Sequence, residues 1–74
     1  MTHYTVAELQ RADRHIVEAE RHVVRQEQIV RELHASANST EIAAELLRQF
    51  NSLLAAHCGH RAAIITALKE SGQF

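Results

Sequence analysis

Seventy-four residues with a single cysteine, Cys58, and no proline describe a small chain that forms no internal disulfide and suits a reducing cytosol. A net charge of −1, with acidic and basic residues interleaved, offers no basic patch for nucleic acid, and no run approaches the ~20 apolar residues of a membrane span. The first ten residues lack a cationic segment leading into an apolar one, so a soluble, cytoplasmic protein is expected.

A chain of this size buries only about 60% of its unfolded surface and needs a staple beyond its own core. Without a disulfide, the staples left are a metal or self-association. Alanine, leucine, glutamate, glutamine and arginine dominate, and there are only two glycines, so the fold class is all-α.

Thr5 followed by Glu8 makes a capping box, predicting a helix over 6–36. Leu9, Ala12, Ile16, Ala19, Val23, Val30 and Leu33 follow steps of three and four, a heptad-like seam interrupted by Gln26. The opposite face carries Arg14, Glu18, Arg21, Arg25, Gln28 and Glu32 and belongs to water. A turn over 37–40 follows, with Asn38 suited to the left-handed conformation that ends a helix and Ser39 or Thr40 to capping the next.

The second helix is predicted over 41–71, with Ala43, Leu47, Phe50, Leu54, Ile64 and Leu68 inward and Gly72 as its stop. Gly59 lies inside it at a cost of about 1 kcal/mol relative to alanine, unless a neighbouring backbone comes close. A short connection makes the helices antiparallel, with residue i facing about residue 75 − i. The expected architecture is a coiled-coil-like helical hairpin, a single unit over 1–74.

Val17, Val24 and Ile29 on the first helix and Leu46, Leu53 and Ile65 on the second widen the apolar stripes beyond what two helices cover. These six are the expected oligomer interface, and a homodimer forming a four-helix bundle is the economical way to bury them.

Polar residues on the seam carry the remaining information. His57 and Arg61 share the phase of the second helix's core, where charge is costly unless paired. Ala12 and Ala19 leave room for them, and Asp13, Glu18 or Glu20 can accept from the guanidinium. With Gln26, they read as a core polar layer fixing register and oligomer state; the alternative is a pocket for a small anion at His57 and Arg61. Six histidines, His3, His15, His22, His34, His57 and His60, are many for this length. His15, Glu18, His57 and His60 fall where the register joins the helices, an alternative set for zinc or another transition metal. Adjacent helical residues point about 100° apart, so His57 is no base for Cys58, which reads as a small buried apolar residue. No phosphate loop, triad or paired-carboxylate cleft appears, and no enzyme is expected.

The run from Ala12 to Val23 and the later Thr40-Glu41-Ile42-Ala43, Leu46-Leu47-x-x-Phe50 and His57-x-x-x-Arg61 resemble an uncharacterised group of short helical-hairpin proteins common in rhizobia and related alphaproteobacteria. The resemblance covers about residues 12 to 68 and implies a bacterial cytosolic protein without bringing an activity; His15, Gln26, Phe50, His57 and Arg61 are typical of the group. Similar sequences often read Gly-His-Asp-Thr at the turn where this one has Ala37-Asn38-Ser39-Thr40, which leaves Asn38 to do glycine's work. The function expected is a structural or protein-interaction module that associates with itself, and the alternative is a metal- or anion-binding bundle.

Overall fold

A computed structural model describes residues 4–72. Helix α1 spans Val6–Ala35 and helix α2 spans Glu41–Glu70, and the two pack antiparallel as a hairpin. The body is a slab of 55 × 17 × 12 Å, one helix thick and two wide. No described helix is long and apolar enough to cross a membrane.

The Thr5 hydroxyl accepts from the Glu8 amide at 3.2 Å and starts α1. Its other end differs from expectation at one residue. Ala37, not Asn38, takes the left-handed conformation, with φ 58°. The Asn38 amide donates to the Leu33 carbonyl at 2.9 Å and the Ala37 amide to that of His34 at 3.1 Å, the paired bonds of a Schellman ending. That motif fixes the left-handed residue at the position directly after the cap, Ser36, so the sequence's alanine occupies it although asparagine is the better fit. The Asn38 side chain donates instead to the Ser36 hydroxyl at 2.8 Å.

Helix α2 begins with little side-chain help. Thr40 makes no cap bond, and the Ser39 hydroxyl accepts from Glu41 at 3.5 Å, the limit of a useful bond. Gly72, at φ 76°, follows the last turn and its amide returns to the Lys69 carbonyl at 3.1 Å. No backbone approaches Gly59, and a Cβ there would meet open space. On the exposed surface of α2 the Arg48 guanidinium bonds Glu45 and holds its carboxyl below the usual carboxylate range.

Ala12, Ala19, Val23, Ile64 and Leu68 are the buried hydrophobics among the described residues, and only Ile64 and Leu68 are wholly enclosed. Ala12, Ile64 and Leu68 cluster at the end away from the turn, with Tyr4 and Leu9 packed on them. Towards the turn, Leu47, Phe50 and Leu54 are only half-buried. A wholly buried leucine or isoleucine contributes about 1.5–3 kcal/mol, whereas every ordered residue costs about 1–2 kcal/mol of backbone entropy. The core is thus thinner towards the turn than at the far end.

Candidate functional site

Among the described residues, three aromatic pairs bridge the two halves of the hairpin along one broad side. Tyr4 meets His60 edge to face with ring centroids 5.8 Å apart. His15 meets His57 at 5.4 Å with planes tilted by 55°, and His22 stacks on Phe50 at 5.4 Å and 23°. Each pair joins α1, or the residue leading into it, to α2, so they form the rungs of a ladder. Their placement follows from helix geometry: His15 and His22 are seven residues apart and flank the α1 seam on one side, while His57 and Phe50, also seven apart, lie on the α2 seam.

Between the rungs lies an open groove of about 320 Å³, lined by His15, Glu18, His22, Phe50, Leu53 and His57 over Ala19. Small Ala19 makes the depression; Phe50 and Leu53 make its apolar wall. Glu18 is its one carboxylate.

The register places His15 against His57 rather than near His60, one turn from where the spacing put it. His60 is taken by Tyr4 instead. The expected metal set of His15, Glu18, His57 and His60 is therefore not assembled, and no three His, Cys, Asp or Glu side chains among the described residues are grouped to hold a metal. His3 lies outside the described residues.

The expected polar layer is divided. Gln26 is buried at 5% exposure, and its Nε2 donates to the Ala43 carbonyl at 2.9 Å, tying α1 to the first turn of α2. Arg61 pairs with Asp13, one of its three candidate acceptors, but the two side chains are 41% and 49% exposed. His57 is also half-buried. Arg61 sits at the seam's margin because its long side chain reaches solvent past small Ala12, which keeps its charge hydrated. Cys58 is exposed rather than buried, since it falls on the outer flank of the seam.

The six expected interface residues do not share one face. Leu53 lines the ladder groove, and Leu46 and Ile29, seven residues from Leu53 and His22, lie along the same side. Val17 borders a shallow depression with Asp13, Cys58 and Arg61 on the opposite side, where Ile65, seven residues beyond Cys58, also falls. Val24 adjoins Val17 there. Val17, Val24, Leu46 and Leu53 are exposed, whereas Ile29 and Ile65 are half-buried against the hairpin itself.

The aromatic pairing was not anticipated from the sequence, although its signal was present. His15 and His22 on α1, and Phe50 and His57 on α2, stand one heptad apart, which in an antiparallel pair brings matching flanks together. Chemically, the ladder side is an imidazole-rich surface with a shallow groove that holds the Glu18 carboxylate. No protein-family model matches the chain, and neither a curated protein nor a solved structure matches it.

Proposed function

We propose that this protein is a self-associating helical hairpin, a structural and interaction module whose working state is a homodimeric four-helix bundle. The observation that supports this reading is the mismatch between the small internal core and the large side chains left outside it. Among the described residues the side chains of Ile64 and Leu68 are wholly buried, while Leu53 is 55% exposed and Ile42 87%. Placing such residues against a second copy supplies the burial that a chain of this length lacks. The ladder's imidazoles and the groove then act as interface, and catalysis has no part in the role.

Melting followed by circular dichroism over a hundredfold range of protein concentration tests it. A self-associating fold melts at higher temperature as concentration rises. A midpoint independent of concentration would mean that the hairpin stands alone and that its apolar surface serves a different molecule.

A further inference from the structure

Helix α2 carries a second seam beside the one it uses against α1. From Ile42 through Leu46, Gln49, Leu53, Ala56, His60 and Ala63 to Ala67, steps of four and three repeat the heptad spacing along the ladder side without an aspartate, glutamate, lysine or arginine. The row of α1 that edges the same side is charged, and its signs alternate at seven-residue intervals: Arg11, Glu18, Arg25, Glu32. All four are exposed. The Glu32 carboxylate accepts from Gln28 at 3.2 Å, and none of the four is drawn into an ion pair among the described residues.

An alternating row of this kind is complementary to itself when reversed. In antiparallel contact with its own copy, Arg11 stands opposite Glu32, and Glu18 opposite Arg25, and the two-fold axis repeats both pairs. We infer that two hairpins pair face to face through the ladder side, α1 on α1 and α2 on α2, both antiparallel, with the two-fold axis passing between Glu18 and Arg25 near the His22–Phe50 rung. This gives the self-association proposed above, on which it rests, a surface and a register.

Three observations choose this arrangement. A side 55 Å long and 17 Å wide has room for the ~800 Å² per partner that a standard interface buries. The axis position sets the second seam of α2 against its copy so that Leu46 lies beside Ala56 and Leu53 beside Gln49, large against small. The other face-to-face arrangement, α1 on α2, would lay the charged row against the uncharged seam and leave its charges unmatched. Val17 and Val24 lie on the far side and take no part.

A charge exchange tests it. Arg11→Glu with Arg25→Glu makes the row wholly acidic; Glu18→Arg with Glu32→Arg makes it wholly basic. Each variant alone is expected to associate at least about tenfold more weakly than the native chain, and an equimolar mixture to recover the species of twice the chain mass. A chain with all four reversed restores every opposition and is expected to pair as the native does. If the acidic and basic variants self-associate as well as the native chain, the register is overturned while self-association stands. Single-mass behaviour of both the mixture and the fourfold reversal overturns it equally. A native chain that is monomeric throughout removes the underlying reading as well.

Discussion

His22 and Phe50 stack across the hairpin with ring planes only 23° apart and centroids at 5.4 Å, beside the exposed Leu53. The rung joins the internal seam to the ladder side, so a change here touches both the hairpin and the proposed interface. Leu53→Glu places a charge at the centre of the ladder side without entering the seam. It is expected to weaken association by tenfold or more, about 1.4 kcal/mol, while Val24→Glu on the opposite side leaves it unchanged. Sedimentation velocity of the two variants side by side checks both.

Gln26 is the one buried polar side chain among the described residues, and its amide donates to the Ala43 carbonyl. Gln26→Ala removes that bond and leaves space between the helices, for an expected loss of about 1–3 kcal/mol. Gln26→Leu fills the space with an apolar group and is expected to cost less than about 1 kcal/mol. Chemical denaturation at fixed protein concentration distinguishes the two.

Asp13 and Arg61 are expected to contribute little despite their sequence separation. Both are close to half exposed, and pairs of that kind contribute about 0–1 kcal/mol. Asp13→Asn should therefore lower stability by less than about 1 kcal/mol, against the 3–5 kcal/mol that breaking a buried pair would cost.

Ala37 carries backbone strain at φ 58° that glycine would not, and Gly59 carries helical entropy that alanine would not. Ala37→Gly and Gly59→Ala are each expected to stabilise by about 1 kcal/mol. For a chain of this size that raises the melting midpoint by roughly 4–8 °C. Calorimetry of the single variants and their combination checks the additivity expected of distant sites.

The two helices were legible in the sequence because periodicity, the Thr5 cap and the polar stretch around Asn38 all point the same way. Ala37 was not, because asparagine outranks alanine in left-handed propensity and only the hydrogen-bond pattern of the ending shows which residue must take it. The seam phase identified His57 and Arg61 as interhelical, but phase cannot tell a buried side chain from one that reaches solvent past a small neighbour such as Ala12. The proposed metal set failed on one turn of register: a shift of that size takes His60 from His15 and gives it to Tyr4. The apolar excess was visible in Val17, Val24, Leu46 and Leu53, yet its division between two sides required the helices to be set against each other.

Sedimentation equilibrium of the native chain at neutral pH tests the central claim most directly. The bundle predicts a mass of twice the 8.3 kDa chain at micromolar concentration, falling towards 8.3 kDa on dilution. A mass of 8.3 kDa at every concentration, with the helices intact, would contradict it.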